Sequence, residues 1–309
     1  MRSPVVFFIF NRPEQTRRVF AEIAKARPPK LLVAADGPRP GVSGDAARCA
    51  AARAVVDQVT WDCDVATNYA DTNLGCGQRV ASALTWAFDR VEEAIILEDD
   101  TLPIQDFFVF CDAMLEYYRD DERVMHVSGN NFHPALGAMG YSYYFSCYDH
   151  IWGWATWRRA FRHYDFPMSR WQTLRTSSWL SSVLGDPVAA EWWTNYFDRG
   201  AAGDRTTYDS WDCQWLFAIL VQHGLAITPH ANLVSNIGFG VDATHTRNAN
   251  SSLALIPGQL TWPLRHPPHM VRHTDAERAA FALLCKPEAN APAPSLSRRL
   301  RNRLIALLS

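Results

Sequence analysis

Three consecutive carboxylates, Glu98, Asp99 and Asp100, directly follow the apolar segment 94–97, which has the composition of a strand buried on both faces. Adjacent carboxylates repel one another, and a divalent cation removes that repulsion. Oxygen ligands in a short acidic cluster suit Mg²⁺ or Mn²⁺. The alternative is an acidic helix N-cap, in which the acids stabilise the first turn of a following helix. The triplet predicts a metal site at the end of a strand.

Two further strand ends carry polar residues. Asn11 and Arg12 follow the apolar run 5–10, and Asp36 follows the run 31–35. In open parallel sheets, ligands bind beyond the carboxyl ends of the strands. We therefore expect these residues to line one crevice with the acidic triplet, where the Arg12 guanidinium suits phosphate or base edges.

The elements that must position these residues alternate along the first 130 positions, which predicts parallel βαβ units. The predicted strands are 5–10, 31–35, 65–69, 94–97 and 124–128, and the predicted helices are 13–25, 45–59, 77–90 and 107–118. The second half is less regular, with predicted helices at 152–163, 187–199 and 209–223 and a predicted strand at 226–234. Residues 286–294 contain three prolines and three alanines, which predicts a linker.

Composition excludes several classes of protein. Of the 309 residues, 48% are hydrophobic and 12% are aromatic, so a sizeable core is expected. The 30 basic and 32 acidic residues give a net charge of −2, without the basic footprint of nucleic-acid binding. The seven cysteines form no C-x-x-C pair, and their odd number suits reduced thiols in the cytoplasm. We find no signal peptide and no run of about 20 apolar residues that would span a membrane.

The stretch Ile95-Ile96-Leu97-Glu98-Asp99-Asp100 resembles the acidic metal motif of GT-A glycosyltransferases, in its Glu-Asp-Asp form. That form is typical of the N-acetylglucosaminyltransferase I group and of bacterial family 2-like enzymes. Further stretches similar to those bacterial enzymes follow in matching order between residues 5 and 247: Phe10-Asn11-Arg12-Pro13-Glu14, Asp36-Gly37-Pro38-Arg39, Asn73-Leu74-Gly75, Trp152-Gly153-Trp154-Ala155-Thr156-Trp157, Ser210-Trp211-Asp212, Asn236-Ile237-Gly238-Phe239-Gly240 and Ala243-Thr244-His245.

The resemblance implies an α/β fold of the GT-A type, a Rossmann-like, mostly parallel central sheet flanked by helices, with an α-rich C-terminal elaboration. Residues 1–285 would form this domain, with the nucleotide-sugar part at 1–130 and the acceptor part at 131–285. The implied reaction transfers a hexosyl or N-acetylhexosaminyl group, with inversion and metal assistance, from a UDP-linked donor to a hydroxyl of a glycan or glycolipid in polysaccharide biosynthesis.

The resemblance also assigns roles at the donor site. Asn11 and Arg12 would contact the nucleotide, and Asp36 would accept a hydrogen bond from the base, although a simple Asp-Gly turn explains Asp36 equally well. Asn73, Gly75 and Arg79 belong to the segment that flanks the donor, where backbone amides suit phosphate. A turn or helix cap is the alternative for this segment.

Metal and sugar contacts are assigned in the same way. Asp100 and the late histidine His245 would ligate Mn²⁺ or Mg²⁺, while Asp99 would orient the sugar or ribose beside Glu98. Trp154 would stack on the sugar, and core packing is its alternative role.

An inverting transfer needs a carboxylate on the acceptor side, and the resemblance points to the segment 208–215. The N-acetylglucosaminyltransferase I group has its base in a similar Trp-Asp-Asp-Trp stretch. Asp212 is the predicted base and Asp209 the second candidate, because Cys213-Gln214 replaces one acid here. Both acids would otherwise only cap the predicted helix.

Two rival functions come from other classes. A sugar nucleotidyltransferase needs a Gly-rich loop with a lysine near the N-terminus, and residues 5–16 contain neither. A catalytically silent GT-A-fold binding module would tolerate loss of the acids, and all three are present.

The C-terminal segment 295–309 has a leucine face beside four arginines, the pattern of an interfacial helix on anionic lipid. It predicts peripheral attachment at the inner face of the cytoplasmic membrane, where lipid-linked acceptors are made. The alternative is a helix that packs on the domain or on a neighbouring subunit.

Overall fold

The computed structural model of the chain describes residues 1–137, 139–203, 209–238 and 255–285. The strands are β1 Val5–Ile9, β2 Lys30–Ala35, β3 Asp64–Tyr69, β4 Glu93–Glu98, β5 Thr101–Pro103, β6 Val124–Ser128, β7 Tyr143–Ser146, β8 Trp154–Trp157, β9 Leu225–Pro229 and β10 Val234–Asn236. The α-helices are α1 Pro13–Ala26, α2 Asp45–Arg53, α3 Cys76–Phe88, α4 Gln105–Tyr117, α5 Arg158–Phe161, α6 Trp171–Leu174, α7 Trp179–Leu184, α8 Pro187–Ala202, α9 Asp212–Val221 and α10 Thr274–Leu284.

Eight of these strands form one sheet in the order β3-β2-β1-β4-β8-β6-β9-β7. Strands β1 to β4 run parallel, and β6 and β9 share their direction because β4 and β6 both pair antiparallel with β8. Only β7 and β8 run the opposite way. The mixed α/β fold with a mostly parallel central sheet flanked by helices is therefore confirmed, and strands from both halves of the chain build it.

The central strands are buried on both faces, as their unbroken apolar composition predicts. Alternate residues of β1 and β2 pack into two different core clusters, one with α1 and α4 and the other with α3 and α9. Burial on both faces fixes the strand register, because a slip of one residue would exchange the two clusters. The carboxyl ends of these strands are consequently held in fixed relative positions.

In the second half of the chain, the observed elements differ from several predicted ones. The segment 152–163, predicted to be helical, is strand β8 followed by the single helical turn α5. Strand β8 fills the gap between β4 and β6 with four buried residues, so sheet pairing overrides the local pattern. The predicted strand 226–234 is divided into β9 and β10, and in the first half the predicted helix 45–59 ends at Arg53. Strands β5 and β7 and helices α6, α7 and α10 were not predicted.

The α-rich elaboration is present as helices α5 to α8, which precede α9. The aromatic residues of this region form a third core cluster with α9. Within the described ranges, no helix has the length and apolar character required to cross a bilayer. The predicted linker 286–294 and the predicted helix 295–309 lie outside the described residues.

Candidate functional site

The acidic triplet forms a tight turn between β4 and β5. The Thr101 hydroxyl accepts a hydrogen bond from the Glu98 amide at 2.9 Å and lies 3.0 Å from the Glu98 carbonyl, to which it donates. Helix α4 begins only at Gln105. The acids therefore lie in a turn between strands, and the helix N-cap interpretation is wrong.

Arg12 ties the end of β1 to this turn. Its Nη1 lies 2.7 Å from Asp100 Oδ2 and 3.7 Å from Asp99 Oδ1. The Phe10 amide donates to Asp99 Oδ2 at 3.0 Å. Burial lowers the pKa of Arg12, but the surrounding carboxylates outweigh that effect and raise it. Arg12 therefore stays protonated as the cation of this cluster.

One arginine does not neutralise three carboxylates. Burial, with repulsion from Asp100, raises the pKa of Glu98 well above its usual value and that of Asp99 to about 7. For both groups burial is the largest cause, and repulsion between the neighbouring carboxylates adds to it. A cation at this edge would relieve that repulsion.

Strand β10 packs directly on Asp100. The Ile237 amide donates to the Asp100 carbonyl at 2.7 Å, and a Cβ on Gly238 would lie 2.2 Å from Asp100 Oδ2. Only glycine fits at position 238 without displacing that carboxylate. His245, the second predicted metal ligand, lies outside the described residues.

The described part of the chain gathers no group of three or more His, Cys, Asp or Glu side chains arranged to hold a metal ion. Mg²⁺ commonly binds proteins through one or two carboxylates and takes substrate phosphates and water as its other ligands. The acidic turn offers such carboxylates, and they repel one another. Its residues therefore fit a divalent cation that binds together with a phosphorylated substrate.

Asp36 is saturated by the protein. Its Oδ1 accepts hydrogen bonds from the amides of Gly37 and Leu74 at 2.8 and 2.9 Å. Its Oδ2 accepts from Asn73 Nδ2 and the Gly75 amide at 2.9 and 3.2 Å. These donors occupy the roughly four acceptor positions of a carboxylate. In this conformation Asp36 fixes the segment 73–75 to the end of β2 and has no lone pair for a nucleobase.

Asn11 and Arg79 also bind neighbouring parts of the protein. Asn11 Nδ2 donates at 2.6 Å to Asp45, whose fully buried carboxylate also accepts from Arg39. Arg79 donates to the carbonyls of Ala35, at the end of β2, and of Asn68 in β3. These side chains shape the edge of the sheet through contacts within the protein.

Asp209 caps helix α3 from a distant part of the chain. Its two oxygens accept hydrogen bonds from the Cys76 and Gly77 amides at 2.7 and 2.8 Å. Gly75, at a φ of 81°, makes room for this contact, because a Cβ there would lie 2.6 Å from Asp209 Oδ2. The backbone amides at the start of α3, a segment expected to suit a phosphate, thus donate to the Asp209 carboxylate.

Asp212 lies beside the acidic turn. It is the first residue of α9 and is partly exposed. Its charge contributes to the raised pKa of Glu98 on one side and of Asp149 on another. The Tyr164 hydroxyl, which donates to the Trp211 carbonyl at 3.0 Å, holds the backbone just before it. Asp212 is therefore close enough to the acidic turn for their charges to interact.

Trp154 does not line the cleft. Its side chain is only 1% exposed, and its ring stacks on His126 and Trp211 with centroid distances of 5.1 and 5.4 Å. Both faces of the indole serve the core, so core packing replaces sugar stacking as its role here.

Sequence reasoning missed Asp149. This residue follows the unpredicted strand β7 and precedes β8 in a connecting loop, and no local spacing distinguishes it. Its Oδ2 is buried and has no hydrogen-bond partner among the described residues. Burial, together with the nearby Asp212, raises the pKa of Asp149 well above its usual value.

The sequence matches no protein-family model and no curated protein. Partial likenesses exist among solved structures. The S. aureus TarS 1-349 complex with UDP-GlcNAc matches 42% of this chain and 34% of its own, with 14% identity and a TM-score of 0.31. The match thus spans about a third of that protein's length.

Two further likenesses cover more of both chains. The mannosyltransferase PcManGT from Pyrobaculum calidifontis, in complex with GDP-Man and Mn²⁺, matches 72% of this chain and 87% of its own, with 14% identity and a TM-score of 0.38. Mouse xyloside xylosyltransferase 1, in its apo form, matches 71% and 82%, with 9% identity and a TM-score of 0.34. These likenesses are too distant to assign an activity to this chain.

Proposed function

We propose that the protein is an inverting, metal-assisted glycosyltransferase that moves a sugar from a nucleotide diphospho-sugar, with UDP as the expected nucleotide, to an acceptor hydroxyl. The observation that carries the proposal is the turn of three adjacent carboxylates, Glu98-Asp99-Asp100, which pairs with Arg12 where β1 and β4 end and has Asp212 close by. The resemblance of the acidic motif to GT-A enzymes supports the same conclusion.

The topology supports a nucleotide site at this position. Strand order runs from β1 outward to β2 and β3 on one side and to β4 on the other, so the chain changes direction between β1 and β4. Ligands of open α/β sheets bind at such switch points, beyond the carboxyl ends of the strands. Arg12 follows β1 and the acidic turn follows β4, so the diphosphate would bind between them.

Each group then has a distinct task. Arg12 offers a guanidinium for phosphate oxygens. Asp100, with His245 as the second predicted ligand, would hold Mn²⁺ or Mg²⁺. A bound cation would neutralise charge on the departing diphosphate. Asp212 would accept the proton of the attacking acceptor hydroxyl, a task for which the acids of the turn are not available.

A donor assay tests this proposal. Purified protein is incubated with UDP-GlcNAc, UDP-glucose and GDP-mannose, with Mn²⁺ or with EDTA, and released nucleoside diphosphate is measured. We expect a UDP-sugar to be consumed only when the metal is present. Pyrophosphate release from UTP and a sugar 1-phosphate would instead favour the nucleotidyltransferase, and binding without turnover would favour the silent module.

We also propose a glycan or lipid-linked acceptor and peripheral attachment of residues 295–309 to the cytoplasmic face of the membrane, because this segment has a leucine face beside four arginines. Liposome flotation tests the attachment. The full chain should float with anionic vesicles, and a chain that ends at Pro294 should not. Equal behaviour of the two would contradict the attachment.

A further inference from the structure

The backbone of Arg12 is held in place by the start of helix α1. Its carbonyl accepts hydrogen bonds from the Thr16 amide at 2.9 Å and from the Thr16 hydroxyl at 2.7 Å. Thr16 is fully buried, and Pro13 begins the helix directly after Arg12. An arginine side chain has many rotamers, so the guanidinium can exchange partners while this backbone stays fixed.

Asp100 is confined on the other side of the ion pair with Arg12. Its Oδ2 accepts from Arg12 Nη1 at 2.7 Å, and the same oxygen leaves no room for a Cβ on Gly238. The Ile237 amide donates to the Asp100 carbonyl at 2.7 Å. Both charged side chains are mostly buried, with exposed fractions of 16% for Arg12 and 21% for Asp100. Such a shielded, charge-assisted pair is stronger than an ion pair on the surface.

Two ligands of the proposed reaction would compete with this ion pair. A cation bound by Asp100 would be repelled by a guanidinium held at hydrogen-bond distance from the same carboxylate. A diphosphate would attract that guanidinium, whose planar set of donors matches phosphate oxygens. Either ligand must therefore break the pair of Arg12 and Asp100, and the ligand that binds second finds it already broken. Ligands that share such a cost bind cooperatively.

We propose that Arg12 is the counterion that keeps cations off Asp100 until a nucleoside diphosphate binds. Without nucleotide, its guanidinium neutralises Asp100. The diphosphate draws the guanidinium away, and the Asp100 carboxylate then accepts the cation. This inference rests on the proposed function and adds the device that couples its two ligands.

The contribution of Arg12 is measured with each ligand alone, because a cation and a diphosphate also attract one another directly. The full chain is used as wild type, as Arg12→Gln, which removes the positive charge, and as Asp100→Asn, which removes the carboxylate. The matched controls are Arg17→Gln, at an exposed arginine of the same helix that pairs with Glu14, and Asp120→Asn, at an exposed carboxylate. Binding of Mn²⁺ is measured by electron paramagnetic resonance of the free ion, binding of UDP by calorimetry in EDTA, and folding by the Tm.

Arg12→Gln should bind Mn²⁺ without UDP about tenfold to a hundredfold more tightly than the wild type, the range expected when a competing hydrogen bond between charged groups is removed. Asp100→Asn should bind UDP in EDTA about tenfold more tightly than the wild type, because a neutral amide holds Arg12 less strongly than a carboxylate does. UDP should raise the Mn²⁺ affinity of Arg12→Gln by a smaller factor than that of the wild type. Both controls should match the wild type.

Two results would overturn the inference. One is a Mn²⁺ affinity of Arg12→Gln, without UDP, that is no higher than that of the wild type, as for an arginine that only binds phosphate or only supports the fold. The other is a UDP affinity of Asp100→Asn in EDTA that is no higher than that of the wild type. Each variant is a separate test, so if the Tm shows that one does not fold, the other still decides. A wild type that binds no Mn²⁺ even with UDP would contradict the proposed metal-assisted transfer, and the inference with it.

Discussion

Two groups of carboxylates at the same edge of the sheet differ in how the protein treats them. Asp36, Asp45 and Asp209 accept hydrogen bonds on both oxygens from nearby amides or side chains. In contrast, Asp149 has a buried oxygen without a hydrogen-bond partner among the described residues, and the acids of the turn repel one another in spite of Arg12. Sequence alone presents all of them as polar residues near strand or helix ends.

This difference separates two kinds of residue: those whose carboxylates hold segments of the fold together, called the frame, and those of the candidate functional site, called the site. A saturated carboxylate holds segments together and is stabilising, because each buried amide it accepts from would otherwise be unpaired. An unsaturated or repelled carboxylate costs stability, and such groups persist where function requires them. The donor-side residues Asp36, Asn73 and Arg79 therefore belong to the frame. We propose that the acidic turn and Asp212 belong to the site.

The largest expected effect concerns Asp212. Asp212→Asn should reduce turnover at least about a hundredfold with donor binding intact, since a general base contributes about 10² to 10⁴-fold. The matched variant Asp209→Asn should lose about 1 kcal/mol of stability through its weaker cap and retain turnover. Steady-state kinetics and thermal unfolding of both variants show which of the two acids is the base. If Asp209→Asn is inactive and Asp212→Asn is active, the base is Asp209. If both stay active, it lies outside this helix.

A smaller effect is expected from the frame. Asp36→Ala leaves the backbone amides of residues 37, 74 and 75 without this acceptor, while the Asn73 side chain keeps only its bond to the Gly37 carbonyl. The free energy of unfolding should fall by about 3 kcal/mol, as for a buried network that loses its central acceptor. Urea denaturation measures it, with the exposed Asp120→Ala as control. A loss no larger than that of the control would contradict the distinction between frame and site.

The last expected effect, at most about 1.4 kcal/mol for each pH unit, is a pH dependence of folding stability through the buried His126. Trp215 Nε1 donates to His126 Nδ1 at 3.1 Å, so His126 Nε2 carries the hydrogen that faces the His150 carbonyl at 3.2 Å. Burial lowers the pKa of His126 to about 3, whereas an unfolded histidine titrates near 6.5. The stabilisation by neutral His126 is thus complete above pH about 6.5 and is lost as pH falls toward 3.

Denaturation at several pH values between 7.5 and 4 checks this. The stability of wild type relative to His126→Asn should fall by up to about 1.4 kcal/mol per pH unit in that window. A difference that does not change with pH would contradict a neutral, buried His126.

Much of the frame follows from local sequence, and much of the acceptor side does not. Runs such as 94–97 are apolar because both faces of a central strand are buried, so the βα units of the first half are recognisable. Strand β8 is placed by pairing with β4 and β6, which are distant in sequence, and no local period reveals that. Asp149 is set by the same long-range packing. The acidic turn was visible because three like charges in succession have few structural explanations.

The most direct test of the central claim, that the acidic turn binds a nucleotide diphosphate through a cation, is the melting temperature with UDP or GDP, each with and without Mn²⁺. A ligand that binds only the native state raises the Tm. We expect UDP to stabilise the wild type only when Mn²⁺ is present. Asp100→Ala should remain folded and lose that synergy. Equal stabilisation of the wild type by UDP with and without Mn²⁺ would contradict the account.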